Sequence, residues 1–317
     1  MKHIMIDFFG LYSKNLHLVD LDYLDNNIES FKDISKNGIP KYDGWIRNIH
    51  FVITDHGIFL YGSPATFTYG NNFKTLKHND LKMFMDELSD LLKCDVRQMC
   101  ISRLDITDNL EMEYKPILYK RSMGNCQYME RVNYGKNGLK YKNHSREITL
   151  YDKLIEAKVK KHKIPQEYKD KNLWRYEYQL RTNVNSYLDG CILTRVDDLL
   201  DKENFLNLIN VWEHQFKKIE LIEVEAMRQV EFNPKMKYEN HLIASGIIGN
   251  GGLGIVLDDL NDQFNLGNLT KRKVDYSKKK FKKIMNDYQI FNSIPFSIKD
   301  ELIQKLELKA EENRMML

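Results

Sequence analysis

The chain has 317 residues, 42% of them apolar and 29% charged, which is ordinary for a globular protein with a sizeable core and excludes a disordered one. A net charge of +3 does not by itself announce a nucleic-acid partner, so local clusters matter more than the total. The four cysteines, Cys94, Cys100, Cys126 and Cys191, show no zinc spacing and read as reduced thiols. Asp7 comes too early for a signal peptide, and no run approaches the roughly 18 apolar residues of a membrane span, so a soluble intracellular protein is expected.

In chain order, residues 1–9 read as a strand with Ile4, Ile6 and Phe8 on one face. Residues 46–54 and 57–69 read as two strands joined by a turn at Asp55-His56-Gly57. Asn79 is placed to cap a helix over Asp80 to Lys93, with Leu81, Phe84, Leu88, Leu91 and Leu92 at helical spacing. Three further strands are predicted at 98–107, 146–154 and 173–181. Residues 197–229 read as one or two amphipathic helices, and 271–283 is strongly basic. The expected class is α+β: a central antiparallel sheet with helices on one face, residues 1–195, then a mainly helical region, 196–317, for DNA binding or oligomerisation.

Alternation along a strand gives each of these three one polar face. In the first, Arg103, Asp105 and Thr107 oppose Leu104 and Ile106; in the last, Arg175, Glu177, Gln179 and Arg181 oppose Trp174, Tyr176, Tyr178 and Leu180. In the middle one, Glu147, Thr149, Tyr151 and Lys153 oppose Ile148 and Leu150. For a single strand, a solvated face is the bland explanation. Three strands delivering two carboxylates, a tyrosine and a lysine to one face suggest chemistry. Asp105 and Glu177 are candidates to hold Mg²⁺ or Mn²⁺, which favour oxygen ligands. The phenol of Tyr151 is a candidate nucleophile toward phosphorus, and Lys153 would lower its pKa or neutralise the phosphate.

At these residues the chain resembles the gene II/X family of replication initiators from filamentous phages and related plasmids. Four blocks carry the resemblance in the family's order, across about residues 60–181. They are Ser63-Pro64-Ala65 with Gly70-Asn71-Asn72 and Asp80-Leu81; Ile101-Ser102-Arg103-Leu104-Asp105; Thr149-Leu150 with Tyr151, Lys153 and Glu156; and Leu173-Trp174-Arg175-Tyr176-Glu177. The resemblance implies an HUH-type nicking domain with a divalent metal, Tyr151 as nucleophile, and Asp105 and Glu177 at or beside the metal. The wider class uses a His-hydrophobic-His strand, which this chain lacks; the family's Gly-His-Asn is Gly70-Asn71-Asn72 here, and Asn71 or Asn72 would offer a carbonyl oxygen instead. His50, His56 and His78 are the other metal candidates. Tyr134, in the turn-rich Asn133-Tyr134-Gly135-Lys136-Asn137-Gly138, is the rival nucleophile.

Gly249-Asn250-Gly251-Gly252-Leu253-Gly254 matches a dinucleotide fingerprint but lacks the surrounding strand-helix-strand pattern and reads as a turn. No phosphate-binding GxxxxGK[ST] loop occurs, so unwinding would fall to a host helicase, with a host polymerase extending the nicked end. Lys271, Arg272, Lys273, Lys278, Lys279 and Lys280 form a basic run interrupted by Tyr276 and Phe281, the aromatics expected to anchor the helix. With Arg103, Arg175 and Arg181 they are the expected DNA contacts, and Lys158, Lys160, Lys161 and Lys163 form a second basic run.

Together these readings point to nicking of single-stranded or hairpin origin DNA for rolling-circle replication of a phage or plasmid, in a bacterial cytoplasm, with no membrane partner and with a homodimer left open. A second tyrosine, a water activated by Glu147 or Glu156, or a second protomer would complete the cycle. An HUH relaxase or transposase is the second reading. A non-catalytic origin-binding protein is the third, and it expects Tyr151 to be buried or far from Asp105 and Glu177.

Overall fold

The computed structural model describes residues 3–4, 6–14, 19–74, 76–135, 138–188, 190–222, 237–286 and 298–315. Ten strands form one antiparallel sheet: β1 (Ile6–Ser13), β2 (Lys32–Asp33), β3 (Lys41–Ile46), β4 (Ile49–Thr54), β5 (Gly57–Gly62), β6 (Cys100–Met112), β7 (Glu130–Tyr134), β8 (Gly138–Lys142), β9 (Arg146–Asp152) and β10 (Asn172–Leu180). Their order across the sheet is β7-β8-β9-β10-β6-β1-β5-β4-β3-β2. The longest pairing joins β10 to β6, with Leu180 opposite Leu104 and Asn172 opposite Met112.

One face of the sheet carries the core. Leu104, Ile106, Ile148, Leu150, Trp174, Tyr176 and Tyr178 are buried there. Helix α1 (His78–Leu92) sets Phe84 against Phe9 of β1, with ring centroids 5.6 Å apart. Helix α2 (Lys153–Val159) follows β9 directly. Helix α3 (Lys202–Lys217) packs Trp212 and Phe216 on Tyr176, at 4.8 and 5.1 Å between centroids, and Tyr176 Oη donates to the Trp212 carbonyl at 2.9 Å. Burying such rings against helices is the main force holding an antiparallel sheet of this kind together. The compact unit therefore runs past residue 195: Met1–Leu221 and Leu302–Leu317 form one unit, Ile222–Glu301 the other.

In the second unit, α4 (Tyr238–Gly249) and α5 (Leu253–Asn265) meet at 90° through the glycine run, where Gly251 and Gly252 have φ of +87° and +101°. The run is a helix-to-helix turn, as its context suggested. Helix α6 (Lys271–Asn286) buries Val274 and Ile284. Helix α7 (Ile298–Met315) returns to the first unit, where Asn313 donates to the buried Asp108 at 3.1 Å. No single described helix is long and apolar enough to cross a membrane; α4 and α5 meet the length and composition test only together, as a bent pair.

Several expected elements shift. Residues 64–69 are a short helix rather than strand, because the Ser63 side chain accepts from the Thr66 amide and Pro64 occupies the first helical turn. Asn79 lies inside α1 rather than capping it. The first strand has an irregularity between Ile6 and Phe8, so Ile6 and Phe9 are buried while Phe8 turns to the other face beneath the Arg103 guanidinium. The side chain of Ile4 and residues 223–229 of the expected helical stretch lie outside what is described.

Candidate active site

The polar face is assembled by register. Tyr151 lies opposite Arg175 and Thr149 opposite Glu177, so Tyr151 and Glu177 are diagonal neighbours on adjacent strands. Tyr151 Oη donates to Glu177 Oε1 at 2.6 Å. Arg175 Nε donates to the same oxygen at 2.8 Å, and Gln179 Nε2 to Oε2 at 3.0 Å. Tyr151 is 7% exposed. Burial, and then the Glu177 charge, push its pKa well above the usual 10, with Arg175 opposing.

Arg175 organises the centre. It is 1% exposed, and its remaining N–H groups meet Asp7 at 2.8 Å, the Asn72 carbonyl at 3.0 Å and Asn109 Oδ1 at 3.1 Å. Every edge of the fork is thus engaged by protein acceptors. Asp7 escaped the sequence reading. Its signal was a lone acid in an apolar strand, which the irregularity beside it aims at the polar face.

The expected strand position of Lys153 is corrected. β9 ends at Asp152, whose side chain caps α2 by accepting from the amides of Leu154 and Ile155, so Lys153 is helical rather than on the strand face of Tyr151. Its buried amine donates to Asn72 Oδ1 at 2.8 Å and Glu156 Oε2 at 2.9 Å and lies 6.0 Å from the Tyr151 ring centroid. Burial and then Arg175 lower its pKa. Asn72 therefore belongs to this network, also donating to Asp7 at 3.1 Å. Asn71 does not: its side chain holds a local turn, accepting from the Phe73 amide and donating to the Tyr69 carbonyl.

Asp105 lies one register row away, opposite Gln179. Both of its oxygens accept from Arg103, at 2.9 and 2.7 Å. Burial pushes its pKa up to about 7 against the pull of Arg103. Neither Asp105 nor Glu177 thus has an oxygen without a donor. Among the described residues no three His, Cys, Asp or Glu side chains are grouped to hold a metal ion. The side chains as arranged do not fit a divalent metal. His50 binds Asp43 at 2.6 Å and stacks on Trp45, three strands from β6 across the sheet; His56 is exposed; the His78 side chain lies outside what is described.

Tyr134 is the last residue of β7 rather than a loop residue, and its ring centroid is 5.7 Å from that of Tyr151. It is the less buried of the two, with the Lys140 amine 4.8 Å over its ring. Lys136 and Asn137 lie outside what is described. Arg181 is half exposed and ion-paired to Glu147 at 2.9 Å. Lys271, Arg272, Lys273, Lys279 and Lys280 are exposed on α6, Lys278 partly so. Tyr276, expected to anchor that helix, is 68% exposed; Val274 and Ile284 are its buried side chains.

A family model describing the N-terminal part of the phage gene II replication-associated protein matches residues 44–210. The chain belongs to that family. The match spans all of the strands from β4 to β10 and most of α3, and so includes Asp105, Tyr151 and Glu177. A replication-associated protein of the gene II type, acting in rolling-circle replication, is what the four sequence blocks pointed to. The comparison with curated proteins returned no match.

Proposed function

We propose that this replication-associated protein nicks single-stranded DNA at a replication origin through Tyr151. The observation that carries the reading is the 2.6 Å hydrogen bond from Tyr151 Oη to Glu177 Oε1. That is direct general-base distance. Glu177 takes the phenolic proton as Oη bonds to phosphorus; the P–O3′ bond breaks, and Glu177 returns the proton to the departing O3′. The products are a 5′-phosphotyrosine bond and a free 3′-hydroxyl from which a host polymerase extends. Arg175 holds the same Glu177 oxygen and Gln179 the other, and no step is derived through Mg²⁺ or Mn²⁺. Arg103, with the cations of α6 and those at 158–163, engages the DNA backbone.

Tyr134 is the second reading for the nucleophile, favoured by its greater exposure. The non-catalytic reading predicts the burial of Tyr151 but not its contact with Glu177.

The test is cleavage of single-stranded circular DNA carrying a cognate origin, with Mg²⁺ or Mn²⁺, read as a covalent protein–DNA adduct on a denaturing gel. Wild type forms the adduct and Tyr151→Phe does not. Loss only in Tyr134→Phe moves the nucleophile. No adduct from wild type leaves a DNA-binding protein.

A further inference from the structure

A cavity of about 650 Å³ lies at the other end of the same polar face, between β1, β6 and the turn after β10. Its walls include Tyr12, Tyr61 and Ile101, and its polar lining includes Ser102, Arg103 and Arg181. No carboxylate lines it, whereas the cavity beside Phe73 and Tyr168 holds Asp108, Glu111, Glu113, Asp170 and Glu312. Gly10 lets three of the lining residues pack close to β1. A Cβ there would lie 2.9 Å from Ser102 Oγ, 3.1 Å from Arg103 Cβ and 3.2 Å from Tyr61 Cδ1, all three in residues of the lining.

The cations at this cavity keep donors to offer. Arg103 binds Asp105 and Gln179 through Nε and Nη2, which leaves Nη1 without a partner among the described residues. Arg181 binds Glu147 through Nη1, which leaves Nε and Nη2 likewise. An aromatic wall, guanidinium donors and no acid suit a flat ligand rich in acceptors. The cavity is also wired to the nucleophile: Tyr151 bonds to Glu177, Glu177 to Gln179, and Gln179 to Arg103. From Glu177 to Arg181 is four residues, about 13 Å at roughly 3.3 Å each. That separation equals about four nucleotides at the roughly 3.4 Å rise of stacked DNA.

We propose that this cavity is a base-reading subsite that takes one unstacked guanine of the DNA strand, a few nucleotides from the scissile phosphate. The proposal rests on the nicking reading for its location. Guanine is the base whose O6 and N7 acceptors match a guanidinium fork, here the free Nε and Nη2 of Arg181, while its ring lies on Tyr61.

The test is fluorescence anisotropy of the full chain with labelled 14-mers: all thymine, and thymine with guanine, adenine or cytosine at every third position. Wild type is expected to bind the guanine-bearing strand about tenfold more tightly than all-thymine, an effect of the size one bidentate pair gives. Tyr61→Ala, which removes its wall, is expected to lose that preference and keep all-thymine affinity within about twofold. Unchanged thermal melting of Tyr61→Ala guards against misfolding. Equal binding of all strands by wild type, another base preferred over guanine, or a preference that survives in Tyr61→Ala overturns the proposal. Tyr151→Phe is expected to keep the preference. A preference without any covalent adduct sinks the nicking reading and leaves the subsite; an adduct without a preference does the reverse.

Discussion

Tyr134 and Tyr151 sit two strands apart, yet their rings approach to 5.7 Å because the residue between them is Gly138. A Cβ at position 138 would lie 2.6 Å from the Tyr134 carbonyl oxygen and 2.9 Å from its Cδ1. The two candidate nucleophiles therefore share one site rather than marking alternative ones.

Gly138→Ala should force the β7–β8 hairpin apart. Overpacking of this kind costs about 1–3 kcal/mol, read as a lower urea midpoint at unchanged slope. An unchanged midpoint would show that the hairpin yields without loss.

Glu177→Gln keeps the shape of the site but removes the proton acceptor of Tyr151. Adduct formation should fall by about 10²–10⁴, the usual contribution of a general base. Binding of the same DNA, measured by anisotropy, should stay within a few-fold. Full adduct formation in this variant would assign the proton to another group.

Arg175→Met leaves Asp7 and Glu177 buried without their shared cation. Breaking a buried pair from one side costs about 3–5 kcal/mol. Chemical denaturation should show that loss, and adding Asp7→Asn should recover part of it. Additive losses in the double variant would count against a shared network.

Asp105 supplies a pH test. Burial holds its folded pKa up to about 7, whereas an unfolded Asp titrates near about 3.9. Between those values the folded protein binds the extra proton, so this residue makes stability fall as pH rises through that window. Asp105→Asn should remove that part of the slope, seen as a smaller drop in urea midpoint from pH 4.5 to 7.5 than in wild type. Parallel curves would mean that Arg103 keeps the carboxylate ionised throughout.

Helix α6 supplies a salt test. Replacing Lys278, Lys279 and Lys280 by Gln should flatten the dependence of log K on log salt by up to about two to three units, since each phosphate contact contributes about 0.7–0.9. An unchanged slope would leave α6 as a solvated face.

Much of this was legible along the chain. The period of two in β6, β9 and β10 assigned Asp105, Tyr151 and Glu177 to polar faces and Trp174, Tyr176 and Tyr178 to the core, because alternation is a local property of an extended backbone. The basic face of α6 and the turn at Gly249–Gly254 were readable for the same reason.

Tertiary structure decided who meets whom. Register set Tyr151 diagonal to Glu177, and the irregularity in β1 turned Asp7 toward Arg175, 168 residues away along the chain. The Asp152 cap took Lys153 off its strand, and the segment after Gly70 brought Asn72 over the sheet to receive it. These outcomes follow from long-range packing and hydrogen-bond satisfaction, which no local period encodes. The residue types of the site belong to the sequence, and its contacts to the fold.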